Sequence, residues 1–169
     1  RYLHHTESLS MTTSQHEIAR SQWLRLWSAV PPSRIKIVAG ELAEHFRIDD
    51  LEIAQSGLGL LPLRDGALGE PYFLGEVPLT RAHVRISNDQ GVSVEGAAIL
   101  LDDRTSIARA LAIFDGVLAA RLPGSEQAIE LLIEGQEQIA ITDSERKKLL
   151  AATRVDFSLL GSEEENDDV

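Results

Sequence analysis

The chain has no cysteine among its 169 residues. Disulfides, zinc–thiolate sites, iron–sulfur ligation and thiol catalysis are therefore closed to it. It also lacks a basic excess: 16 Lys and Arg stand against 27 Asp and Glu, giving a net charge of −11. Five of those acids crowd into Glu163, Glu164, Glu165, Asp167 and Asp168, yet the remainder is still acidic. Phosphate backbones repel such a surface, which argues against nucleic-acid binding. No apolar run approaches the roughly 18 residues that a membrane helix needs. The first residues show no charged stretch followed by a hydrophobic one, so they do not read as a secretory signal. The expectation is a cytoplasmic protein with neither nucleic acid nor membrane as partner.

Several catalytic motifs are begun but not completed. His16-Glu17-x-x-Arg20 lacks the second histidine of a zinc-protease helix; without it a tetrahedral site has too few ligands. Gly57-Leu58-Gly59-Leu60-Leu61-Pro62 has no third glycine and no following helix N-terminus to hold a dinucleotide phosphate. No Gly-x-x-x-x-Gly-Lys-Ser/Thr loop is present, which excludes that route to ATP hydrolysis. The five histidines, His4, His5, His16, His45 and His83, do not have the spacing of a structural metal site. The expectation is that this chain itself binds no metal and no cofactor.

What is present suits one domain, since a chain of this length buries roughly two-thirds of its unfolded surface without covalent staples. Residues 1–13 lack apolar periodicity and read as a flexible extension, residues 14–160 as the domain, and residues 161–169 as a disordered acidic tail. Ser14-x-x-Glu17 is a capping-box pattern ahead of a helix that carries Ile18, Trp23, Leu26, Trp27 and Val30 on its apolar face. Pro31-Pro32 ends it, and Ser33 is expected to cap a second helix with Ile35, Val38, Leu42 and Phe46. Leu51–Ala54 and Leu58–Leu63 read as two short strands separated by a turn at Ser56-Gly57. A hairpin turn is expected at Arg64-Asp65-Gly66, then more strand through Tyr72–Leu74 and Leu79–Ile86, interrupted near Gly75 and Pro78. Val92 to Leu100 follows after a tight Asn88–Gly91 connection. Asp102 or Asp103 is expected to cap the next helix; the alternative use of this acid pair is to hold Mg²⁺ beside a triphosphate. Ser125 is a plausible cap, Gln127–Ile133 fits helix or strand, and Thr142 is expected to cap a last helix. The fold class is α+β: an antiparallel meander of about four strands, covered by helices from both ends of the chain.

One strand offers a site. Between residues 81 and 86, apolar Ala82, Val84 and Ile86 alternate with Arg81, His83 and Arg85. Side chains of a strand point alternately to its two faces, so one face enters a core and the other gathers positive charge. That face can pair across the sheet with Glu70, Glu76 or Glu95, or it can meet a partner or a small anion. Near the C-terminus, Arg154-Val155-Asp156-Phe157-Ser158-Leu159-Leu160 either packs back on the domain or docks into another subunit.

Residues 69–86 and the segment Ala152-Thr153-Arg154-Val155-Asp156-Phe157 resemble the G subunit of the phosphonate carbon–phosphorus lyase system, the PhnG family. The matching features are Gly69-Glu70, the aromatic pair Tyr72-Phe73, Gly75-Glu76, and Leu79-Thr80-Arg81-Ala82 followed by Val84-Arg85. The similarity runs from about Ser14 to Phe157. It departs from the family pattern at Asp102-Asp103-Arg104, where the family has Gly-Arg-Asp, and at Ser158-Leu159-Leu160-Gly161. The resemblance implies an accessory subunit without catalytic residues of its own, in a cytoplasmic complex. That complex transfers methylphosphonate to ATP with loss of adenine, giving α-D-ribose 1-methylphosphonate 5-triphosphate. ATP is then a substrate of the complex, the I subunit is the most direct partner, and the H, J and L subunits are the others. The residues expected to bind partners are Arg81, Arg85, Arg154, Asp156 and Phe157. The alternative is a stand-alone anion-binding module or enzyme that uses the Arg81–His83–Arg85 face.

Overall fold

The computed structural model of the chain describes residues 18–152. Four helices and three strands follow in the order α1 (Arg20–Ala29), α2 (Pro32–His45), β1 (Arg47–Arg64), β2 (Pro71–Ser87), β3 (Ser93–Leu100), α3 (Thr105–Ala119) and α4 (Ser125–Ala152). The strands form one antiparallel sheet in the order β1-β2-β3. The α+β meander expected from sequence is present, with three strands instead of about four. The difference lies at Ser56-Gly57, which does not turn: both residues pair with β2, opposite Thr80 and Leu79, and β1 runs on to Arg64. The hairpin turn is also longer than a two-residue Asp-Gly connection. Asp65 organises it, its carboxylate accepting the amides of Ala67 and Leu68 and its own amide donating to the Glu70 carbonyl.

α3 is the centre of the molecule. It is largely apolar, with residues 110–118 buried without interruption, and a helix of that composition must be enclosed. The sheet covers one side of it, while α1, α2 and α4 pack against the other. Its contact with the sheet is unusually close, because Gly116 of α3 faces Gly96 of β3. A Cβ on Gly96 would collide with the backbone of Ala112 and Gly116. On the helical side, Trp27 is fully buried edge-on to Phe114, with ring centroids 5.5 Å apart, and its indole N–H donates to the Ala128 carbonyl at 3.0 Å. The pairing of a large apolar face with a satisfied polar tip lets a tryptophan occupy a dry core.

Helix ends differ from the expected caps. Ser14 and Glu17 lie outside the described residues. Pro32 takes the first position of α2, where its missing N–H costs nothing, and Ser33 is already inside the helix. Neither Asp102 nor Asp103 caps α3: the residue before that helix is Arg104, and Asp102 instead accepts the amide and guanidinium of Arg104. α3 ends in a Schellman motif, with Leu122 N–H on the Val117 carbonyl and Arg121 in the left-handed region at φ 53°. The Ser125 hydroxyl donates back to the carbonyls of Leu122 and Val117. Gln127–Ile133 is helical, and Thr142 starts nothing: α4 is continuous over 28 residues, with the Thr142 hydroxyl bonded to the Gln138 carbonyl one turn earlier. No helix among the described residues is long and apolar enough to cross a membrane.

Candidate functional site

The alternation of residues 80–86 is realised as a two-faced strand. Thr80, Ala82, Val84 and Ile86 are buried against the helices. Arg81, His83 and Arg85 stand on the open face of the sheet, and β1 and β3 supply their partners. Arg81 lies 3.3 Å from Glu52, and Arg85 donates to Glu95 at 3.2 Å. His83 Nε2 is 3.1 Å from the other Glu95 oxygen. Glu95 sits opposite Arg85 in the register, which is why one carboxylate serves both bases. The hydrogen bond from Arg85, reinforced by His83, holds the Glu95 carboxyl below its ordinary pKa. Of the three acids expected as partners, Glu95 has this role and Glu52 takes the place of Glu70 and Glu76. The basic face is therefore already matched by carboxylates of its own sheet. Arg154, Asp156 and Phe157 lie outside the described residues.

A second polar cluster went unnoticed in the sequence. Asp115, on buried α3, accepts a bidentate pair from Arg20 of α1 at 2.8 and 2.7 Å and the amide of Ala97 in β3 at 3.1 Å. The glycine contact beside it brings β3 near enough for that amide to reach. Hydrogen bonding to Asp115 and its charge strengthen the hold of Arg20 on its proton. One carboxylate thus ties the first helix, the central helix and the edge strand together. The signal available was chemical: a lone acid in the apolar run of α3 needs a hydrogen-bonding partner. The partner was 95 residues away, so spacing could not identify it.

The described residues gather no catalytic constellation. No group of three or more His, Asp or Glu among them could hold a metal ion. A shallow depression between α1 and α4, lined by Ile18, Gln22, Arg25, Leu26, Gln136 and Ile139, has no converging acid–base pair. Asp102 is occupied by Arg104, and Asp50 by Arg109 at 2.6 Å.

What the molecule does present is an arm. β3 pairs with β2 only as far as Thr80, and beyond that point β1 and β2 continue alone as a two-stranded ribbon over residues 57–64 and 71–79. At about 3.3 Å per residue it reaches on the order of 30 Å. Gly75, at φ 126°, stands in a bulge where two residues of β2 oppose Leu61, between the pairs Leu60–Glu76 and Pro62–Phe73. Register and alternation place Leu58, Leu60 and Phe73 on the same side as the core-facing Thr80, but past the end of the helices; Leu61, Leu63, Tyr72, Val77 and Leu79 occupy the opposite side.

The model of the family described as phosphonate metabolism protein PhnG matches residues 18–161. The chain belongs to that family. The match spans most of the sequence and includes the arm, both faces of the sheet and all four helices. No curated protein matches the chain significantly. Membership of the PhnG family assigns the chain to phosphonate metabolism.

Proposed function

We propose that this chain is a non-catalytic subunit of a carbon–phosphorus lyase complex, and that it supports transfer of a methylphosphonate to ATP with loss of adenine. The observation that carries this reading is the state of the basic sheet face. A free anion site needs uncompensated cations, whereas Arg81 and Arg85 each have a carboxylate of the same sheet within 3.3 Å. With its basic face neutralised internally and no acid–base set among the described residues, a PhnG-family chain contributes to phosphonate chemistry through other polypeptides. The I subunit is the most direct partner, followed by H, J and L, and ATP is a substrate of the assembly. The exposed ends of Arg81 and Arg85 stay available to exchange Glu52 and Glu95 for partner carboxylates, and Arg154, Asp156 and Phe157 are proposed as further contacts.

The test is adenine release from ATP and methylphosphonate. The isolated chain should release none, the co-expressed G, H, I and L subunits should release it, and omission of this chain should abolish the activity. Turnover by the isolated chain, or undiminished activity without it, would refute the reading.

A further inference from the structure

The arm is the feature of the fold that the body does not explain. Two-stranded ribbons alone are marginal in water, because each has too little apolar surface to bury between its own strands. This one is apolar where it should be polar. Leu58, Leu60 and Phe73 are 69%, 60% and 65% exposed on one side, and Tyr72 is 48% exposed on the other. Leu68 and Leu74, near the tip, are 77% and 60% exposed. Together these six leave on the order of 700 Å² open to water over the two sides and the tip, close to the ~800 Å² each partner buries in a standard interface.

The edge is also almost without charge. Natural edge strands carry charges or prolines that deter pairing. Residues 53–63 of β1, the outer strand, contain no charged residue at all, and Pro62 is the only proline among them. In the opposing stretch 71–79, Glu76 is the sole charge, and Pro71 and Pro78 are the prolines. The occupant must therefore be apolar and uncharged where it touches the arm.

We propose that the arm inserts into an apolar cleft of a different, larger polypeptide, which closes over both of its faces. This rests on the reading of the chain as a subunit of a complex, and it names the surface that assembles. A second copy of the chain fits less well. A two-fold contact joins one patch to its own equivalent and would cover one side of the ribbon, leaving the apolar residues of the other side wet. Tyr72 and Phe73 on opposite sides are the aromatic anchors that dominate affinity in fully desolvated pockets.

The test uses the full chain co-expressed with the H, I, J and L subunits, with two double variants that keep strand propensity by introducing threonine. Leu60→Thr/Phe73→Thr alters one side of the arm and Leu63→Thr/Tyr72→Thr the other. Each should lower recovery of the complex by about tenfold or more, while the free chain remains monomeric and its melting temperature hardly moves. If the unaltered chain does not assemble, the subunit reading fails and this proposal fails with it. If it assembles and the variants do so equally well, the arm alone is refuted. Loss with only one of the two variants would mean a flat contact instead of a cleft. A free chain that melts early when altered would show the arm packed by its own sequence, and a free dimer that the variants dissociate would show a second copy as occupant. Each of these three outcomes overturns the proposal.

Discussion

β2 passes through two environments without a break, and the contrast between them separates what holds this protein together from what it offers to others. Over residues 80–86 the strand alternates buried and exposed positions, with β1 and β3 on either side and α3 beneath. Over residues 72–74 three successive side chains, Tyr72, Phe73 and Leu74, are all exposed, with a partner strand on one side only. Apolar residues of the first region contribute to stability; those of the second contribute almost none until something covers them. Apolar side chains in two stretches of one strand therefore have different thermodynamic roles.

The strongest way to break the comparison is a charge in the body. Val84→Asp would bury a carboxylate with no partner beneath the sheet, at a cost of roughly 3–5 kcal/mol. Urea titration of the purified chain should show that loss, and an unchanged midpoint would mean the assigned faces are reversed. Next in size is the polar junction. Asp115→Ala strands the Ala97 amide and releases Arg20, whose side chain is already 61% exposed and returns readily to water. The expected loss, about 1–3 kcal/mol, comes mainly from the amide. Pairing this substitution with Arg20→Ala in a double-mutant cycle would apportion it, and a cycle in which Arg20→Ala alone accounts for the whole loss would contradict the assignment.

The smallest effect belongs to the open sheet face. The folded-state pKa of Glu95 is lowered, so its ion pairing stabilises fully above the ordinary carboxylate range and is lost as pH falls through the lowered value. Glu95→Gln should then melt slightly below the parent near neutral pH, and the gap should close as the buffer is acidified through and below the ordinary carboxylate range. A gap that widens on acidification would reverse the sign of the argument. Because these groups are solvated, the shift should be small and should shrink with salt.

Much of the body was legible because its signals are local. The alternation from Ala82 to Ile86 depends only on the period of a strand, and Pro31-Pro32 separates the first two helices by chemistry that no tertiary contact overrides. Errors arose where a local signal met a longer-range one. Ser56-Gly57 is a good turn dipeptide, yet it stays extended because β2 continues opposite it and offers pairing partners. Asp102 has the chemistry of a cap, but Arg104 two residues on takes its carboxylate first. Thr142 resembles a helix start, and instead its hydroxyl bonds back within an unbroken α4. Part of the candidate site was legible as well: the paired bases and Glu95 follow from register, whereas Glu52 was hidden by two irregularities in β1, at Asp50/Glu52 and Glu52/Gln55. The arm left one trace, the uncharged run from Ile53 to Leu63, and it was divided between two short strands because nothing in sequence says that a strand will outlast its sheet.

Amide hydrogen exchange on the full chain, free and within the co-expressed complex, tests the central contrast most directly. The account predicts that amides of residues 82–86 and of α3 exchange slowly in both states. Those of residues 57–63 and 72–79 should exchange quickly in the free chain and become strongly protected on assembly. An arm as protected as the core in the free chain, or one whose exchange is unchanged in the complex, would contradict it.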